Sequence, residues 1–172
     1  HVEAKFAWLS MFKDKLLHRR NKNSLTGSKN NILAHYDLGN DLYTAFLDRK
    51  MQYSSAIYPE NDSTLEVAQV NKLQVICDRL DLQESDHLIE IGTGWGGLAI
   101  YAAKNYGCQV TTTTISDAQF DYAKKRIESL GLTDKITLLK EDYRNLKGQY
   151  DKLVSIEMIE AVGFEFLSGF FE

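Results

Sequence analysis

Hydrophobic positions in the second half of the chain fall into short continuous runs, with longer, helically spaced runs between the first three. The continuous runs predict four buried strands: "DHLIEI" from Asp86, "CQVTTTTI" from Cys108, "KITLLK" from Lys135 and "YDKLVSI" from Tyr150. The resulting order is strand, helix, strand, helix, strand, loop, strand. This order is typical of a parallel α/β sheet, whose ligands bind beyond the carboxyl ends of the strands.

Capping residues mark the predicted helix boundaries. Ser63 with Glu66 forms a capping box before "LEVAQVNKLQVICDRL". Ser116 with Gln119 forms a second box, before a helix that ends at Gly131. Upstream, "AHYDLGNDLYTAFLD" predicts two short helices with a Gly-Asn break, and "MQYSSAIYPEND" predicts a loop.

The patterns divide the chain into three segments. Residues 1–31 predict a basic amphipathic helix and a polar linker, residues 32–85 a helical segment that covers the site, and residues 86–172 the sheet. The chain ends soon after the fourth strand, whereas doubly wound domains normally carry more strands. We therefore expect a fragment whose sheet is incomplete at the C-terminus.

Charge is distributed unevenly along the 172 residues. The net charge is −4, but residues 1–30 hold seven Lys/Arg against two Asp/Glu, so this segment carries +5 and the remainder −9. A basic amphipathic helix can lie on an anionic membrane surface or pack on a neighbouring domain, and both alternatives stay open. The acidic remainder gives little support for a nucleic-acid partner.

Three features of the sequence bear on its cellular setting. No apolar run reaches the ~18 residues of a membrane span, and the N-terminus lacks the apolar core of a signal peptide. Cys77 and Cys108 are isolated and lack metal-ligand spacing, so they predict buried free thiols and no metal site. These features favour a reducing, cytoplasmic setting.

A glycine-rich loop follows the first strand, in "LIEIGTGWGGLA". Gly92, Gly94 and Gly97 fit the dinucleotide template G-x-G-x-x-G, and Gly92, Gly94 and Gly96 fit the G-x-G-x-G of a methyl-donor site. A dinucleotide site needs a carboxylate about 20 residues further on, where this chain reads "TTTTIS". Glu90, an acid inside an apolar strand, favours the methyl-donor interpretation, because it can order the loop and the donor's ammonium group.

An ordered set of segments resembles a known family. These segments are "HYDLGNDLYTAFLD", "MQYSSAIY", "AQVNKLQVICDRLDL", "IEIGTGWGGLAIYAAKNYG", "TTTTISDAQ", "EDYRNL" and "YDKLVSIEMIEAVG". Over residues 32–165 they resemble the cyclopropane-fatty-acyl-phospholipid synthases, including the mycolic acid cyclopropane synthases. The resemblance implies a Rossmann-like class I methyltransferase sheet, with S-adenosyl-L-methionine as cofactor and the double bonds of lipid acyl chains as substrate.

The resemblance also implies site residues. The matching cofactor-binding positions are Tyr53, Ser54, Glu90, Gly92, Gly94, Gly96, Thr114, Gln119, Asp142, Tyr143 and Arg144. Thr114 and Gln119 stand where other methyltransferases have the second-strand acid, and the three residues from Asp142 follow strand three at the adenine end.

Glu160 and Ser55 are the catalytic positions that the resemblance implies. Glu160 matches an acid that helps to hold a bicarbonate ion, and Ser55 stands where the family has a Cys of that site. The family's F-E-H-V-G reads Ile159 to Gly163 here, with Ala161 in place of His. With these departures, both the presence and the absence of a bound bicarbonate ion stay open. Methyl- or methylene-branched products also remain as alternatives to a cyclopropane.

A set of aromatic residues is expected to line the pocket and tolerate a cation: Tyr36, Tyr43, Phe46, Tyr53 and Tyr58. The partners implied are unsaturated phospholipid acyl chains, reached by peripheral association with the inner face of the membrane. An NAD-dependent oxidoreductase and a non-catalytic cofactor- or lipid-binding homologue remain as rival functions.

Overall fold

The computed structural model describes residues 40–171. The predicted basic helix, the polar linker, Tyr36 and the first of the two short upstream helices lie outside these described residues. The second short helix is present, and the segment "MQYSSAIYPEND" forms a loop as expected.

The four predicted strands form one parallel sheet. They are β1 (His87–Ile91), β2 (Gln109–Thr113), β3 (Ile136–Leu139) and β4 (Lys152–Val154), in the spatial order β3-β2-β1-β4. The chain moves outward from β1 to β3 and then returns to the other side of β1. The strand order therefore reverses between β1 and β4, which is where parallel α/β sheets bind ligands.

The helices of the described residues surround this sheet. They are α1 (Asn40–Phe46), α2 (Leu65–Arg79), α3 (Gly97–Tyr106), α4 (Asp117–Ser129), α5 (Ile159–Val162) and α6 (Leu167–Phe170), with 3-10 turns at Tyr143–Asn145 and Phe164–Phe166. Within the described range, none of the helices is both long and apolar enough to cross a membrane.

The main core forms between the sheet and its helices. Leu73 of α2, Leu88 of β1, Val110 of β2 and Ile127 of α4 are buried in one cluster. Cys77 and Cys108 lie in the same cluster as free thiols, as predicted, and burial raises the pKa of Cys77 to about 12. Burial raises the pKa of Cys108 as well, and both thiols serve packing in this core.

One predicted helix cap is wrong by a residue. Thr64, not Ser63, caps α2, and its side chain accepts from the Val67 N–H. The Ser63 hydroxyl instead accepts from the Glu60 N–H, and Glu66 accepts from the Arg49 N–H. The predicted box fails because the preceding loop occupies both of its side chains.

The second predicted cap is half formed. Ser116 caps α4 and accepts from the Gln119 N–H, as a capping box requires. The Gln119 side chain does not return the bond, since its Oε1 accepts from the Thr114 hydroxyl.

Candidate active site

A cavity of about 470 Å³ opens at the carboxyl edge of the sheet, within the size range of small-molecule sites. Residues that follow all four strands line it, together with the loop from Met51 to Ser54. All of the predicted site residues line this cavity except Gly96 and Ser55. The sheet edge thus brings together residues that are more than 100 positions apart in the sequence.

The glycine loop forms one wall of the cavity. Gly92 and Gly94 have φ angles of +99° and +53°, which side chains rarely adopt. A Cβ on Gly94 would meet no protein atom within 4 Å, so the space above this residue is open to a ligand. The N–H groups of Gly92 and Thr93 both donate to the Thr113 carbonyl, which fastens the loop to the end of β2.

The other two glycines of the loop serve packing. A Cβ on Gly96 would lie 3.2 Å from the Ala123 Cβ of α4, and one on Gly97 would lie 1.9 Å from the Gln52 amide nitrogen. Gly96 therefore allows α3 to approach α4, and Gly97 allows the loop around Gln52 to approach the start of α3. Arg126 fastens the same region by donating to the Trp95 carbonyl at 3.1 Å.

Glu90 is a buried carboxylate in the cavity wall. It is 4% exposed, so a solvent-facing strand position is excluded. It lies beside Thr112 in the parallel register, and the Thr112 hydroxyl donates to Glu90 Oε2 at 2.6 Å. Burial raises the pKa of Glu90 to about 8 against the lowering effect of this hydrogen bond. A ligand cation placed here would stabilise the ionised carboxylate.

Thr114 and Gln119 form a polar pair at the end of β2. The Thr114 hydroxyl donates to Gln119 Oε1 at 2.9 Å and accepts from the Ser116 N–H. Because the Gln119 oxygen is already an acceptor, its amide N–H groups are the atoms that can donate to a ligand. This pair can replace a carboxylate as the partner of ribose hydroxyls.

An ion pair orders the loop after β3. Arg144 donates through Nε and a terminal nitrogen to the two carboxylate oxygens of Asp142, at 2.8 and 2.5 Å. Burial raises the pKa of Asp142, but the hydrogen bonds from Arg144 outweigh it and hold the value below its usual range. Tyr143 lines the cavity between them, so the ion pair fixes the backbone that presents this ring.

Two carboxylates from the segment after β4 reach the cavity. Glu157 and Glu160 both line it, Glu160 from the first turn of α5. Glu157 Oε1 accepts from the Ser55 N–H at 2.9 Å, and its backbone φ of +48° is unusual for a residue with a side chain. Ser55 therefore touches the site through Glu157 and does not line the cavity itself.

Lys72 contacts the site through Ser54 without lining the cavity itself, and the sequence did not reveal this contact. It lies on α2, is 3% exposed, and donates to the Ser54 carbonyl at 3.1 Å and the Ser54 hydroxyl at 2.6 Å. Gln69, one turn earlier, donates to the same carbonyl. Burial lowers the pKa of Lys72 to about 8, while Glu157 and Asp48 act to raise it. The available signal was a Gln and a Lys at i and i+3 on the helix face that carries Leu73.

Most of the expected aromatic lining is not found. Tyr53 lines the cavity and meets Tyr43 edge to face, with ring centroids 5.6 Å apart. Tyr43 itself is buried in a small core with Met51 and Trp95. Phe46 and Tyr58 are exposed and do not line the cavity. The prediction for Tyr43, Phe46 and Tyr58 is wrong, because aromatic content alone does not distinguish core packing from a pocket wall.

Comparison with known proteins places these features in one family. A family model described as mycolic acid cyclopropane synthetase matches residues 23–172. A probable fatty acid methyltransferase of Pseudomonas putida is 43% identical over 134 residues, which cover 77% of this chain and 34% of the relative. The cyclopropane-fatty-acyl-phospholipid synthase of Escherichia coli K12 is 47% identical over 129 residues, which cover 75% and 32%. The chain thus spans about a third of these relatives.

A solved structure shares the fold. A mycolic acid cyclopropane synthase, CmaA1, crystallised with SAH and CTAB, superposes with a TM-score of 0.80 at 30% identity. The match covers 83% of this chain and 50% of that one.

Proposed function

Because this chain belongs to the mycolic acid cyclopropane synthetase family, we propose that it transfers a methyl or methylene unit from S-adenosyl-L-methionine to double bonds in the acyl chains of unsaturated phospholipids. The observation that carries the proposal is the cavity itself. One space is lined by an open glycine loop, a buried acid at the end of β1, a Thr–Gln pair after β2 and two carboxylates after β4.

The cavity fits the parts of this cofactor. Glu90 is a buried acid that lacks a cation among its described contacts, and the cofactor's ammonium group would supply one. The open space beside Gly94 admits the amino-acid tail of the cofactor without a clash. Thr114 with Gln119 provides donors for ribose hydroxyls, and the ordered loop at Tyr143 provides a ring for the base. The structure solved with SAH supports the same assignment.

The chemistry requires an electrophile and a dry pocket. When bound, the cofactor supplies an electrophilic methyl group, which an isolated alkene can attack. Attack would form a new C–C bond as the methyl–sulfur bond breaks, which would release S-adenosylhomocysteine and leave a carbocation on the acyl chain. Water would quench this cation. Apolar residues from four parts of the fold line the cavity and would exclude water: Leu73, Ile76, Leu98, Ile115 and Ile156.

A base must then remove a proton from the cation. We assign this step to the carboxylates Glu157 and Glu160, which both line the cavity. The C–H electron pair closes a ring or forms a new double bond, and the proton goes to the carboxylate. Bicarbonate is not part of this proposal, because Ser55 and Ala161 stand where the resembled synthases have a Cys and a His.

A methyl- or methylene-branched product is the second candidate. It is supported by Ser55 and Ala161, which replace the Cys and His of the resembled synthases, and by the similarity to a probable fatty acid methyltransferase. Both candidates share every step up to the cation. They differ after the cation: ring closure and methylene formation both lose a proton of the transferred methyl, the methylene after a 1,2-hydride shift, whereas a methyl-branched alkene forms by loss of a chain proton.

The substrate would be met at a membrane surface. Acyl chains of phospholipids lie in a bilayer, and residues 1–30 carry a net charge of +5 that would attract an anionic surface. We therefore infer peripheral association with the inner face of the membrane, from the cytoplasm.

Calorimetric titration with S-adenosylhomocysteine (SAH) tests the cofactor assignment. We expect binding at one site per chain, and an affinity at least tenfold weaker for Gly94→Ala, whose added methyl enters the ligand space. Gly131→Ala is the matched control, because Gly131 has a φ of +67° and equally open surroundings but lies after α4, away from the cavity. Absence of binding by the folded wild type, or equal affinities for the two variants, would contradict the assignment.

A further inference from the structure

We propose that Lys72 is a positioning residue that orients the Ser54 hydroxyl toward the carboxylate of the cofactor's amino-acid tail. The inference rests on the proposed function and adds the anion-binding side of the same site. Glu90 provides the cation-binding side. An amino-acid tail is a zwitterion, so a site that holds it needs both.

The direction of the Ser54 hydroxyl follows from its partner. An ammonium group can only donate, so the Ser54 oxygen must accept from Lys72 in their 2.6 Å hydrogen bond. The hydroxyl hydrogen is then left to donate elsewhere. Ser54 lines the cavity, and an acceptor placed in the cavity would receive this hydrogen.

The backbone beneath this hydroxyl is held in place. Lys72 donates to the Ser54 carbonyl at 3.1 Å, and Gln69 donates to the same oxygen at 3.0 Å. On the other side, the Ser55 N–H donates to Glu157. The hydroxyl therefore points from a segment that is fastened on both sides.

The surroundings favour an anionic acceptor. The loop that carries Ser54 packs against the start of α3, because the Gln52 amide lies where a Cβ of Gly97 would be. The start of a helix carries a partial positive charge. Lys72 adds a full positive charge within hydrogen-bond distance, and its pKa of about 8 keeps it protonated at neutral pH. A carboxylate suits this position better than a neutral oxygen does.

Two ligands that differ only in the tail separate positioning from a structural role. SAH carries the amino-acid tail, and 5′-methylthioadenosine lacks its carboxylate and ammonium groups. We expect Lys72→Met to weaken SAH binding about tenfold to a hundredfold, the range for a lost hydrogen bond to a charged group. Binding of methylthioadenosine should stay within twofold of the wild type.

A double-mutant cycle tests whether Lys72 acts through Ser54. Ser54→Ala should reproduce the SAH-selective loss. If Lys72 acts through Ser54, the dissociation constant of the double variant for SAH should lie within about twofold of that of the weaker-binding single variant. Lys135→Met is the matched control, because Lys135 also donates to a backbone carbonyl, that of Gly107, outside the cavity. It should leave both affinities unchanged.

Other outcomes would overturn the inference. Equal losses for both ligands in Lys72→Met, unchanged SAH binding, or fully additive effects would each do so. If Lys72→Met does not fold, the affinities of Ser54→Ala test the inference by themselves. Wild-type affinity of Ser54→Ala for both SAH and methylthioadenosine would then contradict it. A folded wild type that binds neither ligand refutes the proposed function as well, so the two failures are distinguishable.

Discussion

At the scale of single residues, Glu90 is a buried carboxyl group whose pKa is raised. Parallel strands are usually covered on both faces, so an acid in the middle of β1 must be desolvated. Its hydroxyl partner Thr112 compensates only in part, and the pKa of the carboxyl rises to about 8. The ligand-free protein therefore carries this group protonated at neutral pH. A bound ammonium would drive the proton off.

The raised pKa of Glu90 predicts a pH dependence of folding stability. The folded-state pKa of about 8 exceeds the ordinary value of 4.5, so the protonated group stabilises the fold fully below pH 4.5. This stabilisation is lost as pH rises to about 8, at up to about 1.4 kcal/mol per pH unit. Glu90→Gln should remove this loss. Urea unfolding at pH 5 and pH 8.5 measures the difference.

An exposed acid is the control for that comparison. Glu60 lies in an exposed loop, so Glu60→Gln should have the same free energy of unfolding as the wild type at both pH values. If Glu90→Gln loses as much stability as the wild type between pH 5 and pH 8.5, the carboxyl is not held protonated in the fold.

At the scale of elements, the two faces of β2 make different contacts, and only one of them faces the glycine loop and Glu90. The Thr111 hydroxyl lies 2.8 Å from the His87 ring, whereas the Thr112 hydroxyl contacts Thr93 and Glu90. Alternation along the strand thus points one threonine at the cavity wall and its neighbour away from it.

Exchanging each hydroxyl for a methyl tests this division. Thr112→Val removes the donor to Glu90 and the acceptor of the Thr93 hydroxyl in the glycine loop, so we expect about 1–3 kcal/mol lower stability and several-fold weaker SAH binding. Thr111→Val should lower stability without changing the affinity. Thermal unfolding and calorimetry on both variants measure the two effects. Equal affinity changes for the two variants would show that the strand faces are not distinct.

The elements themselves could be predicted from the sequence, because each depends on local periodicity and burial. β1 to β4 and the helices between them lie where the runs place them. Details that depend on neighbours could not be predicted. Ser63 and Thr64 are both able to cap α2, and only the contact of Ser63 with Glu60 decides between them.

The candidate site was predictable to the extent that it follows the strands. The residues after β1, β2 and β3 line the cavity as expected. Lys72 was missed because a lysine on an amphipathic helix is ordinarily solvated, and only the packing of the 52–55 loop buries it. Glu157 stands beside the predicted Glu160, but its contact with Ser55 spans 102 positions and no local pattern indicates it.

At the scale of the whole molecule, three features meet at one edge of the sheet. The cavity lies at the carboxyl edge of the sheet, where the strand order reverses between the paired strands β1 and β4. In the proposed function the glycine loop and Glu90 bind the charged cofactor there, and the carboxylates after β4 supply a base. In the proposed function the same arrangement serves ring closure and branching, since the two routes diverge only after the cation. We therefore expect the residues around Ser55, Glu157 and Glu160, and not the fold, to determine the product.

Transfer of a labelled methyl group tests the central claim most directly. The protein would be incubated with methyl-deuterated S-adenosyl-L-methionine and vesicles of monounsaturated phospholipid, with saturated phospholipid as the matched control. Mass spectrometry should show one labelled one-carbon unit added to unsaturated chains only. A ring or methylene keeps two of the three deuterons, and a branch formed by loss of a chain proton keeps all three. Unlabelled lipid from a protein that binds SAH would contradict the account.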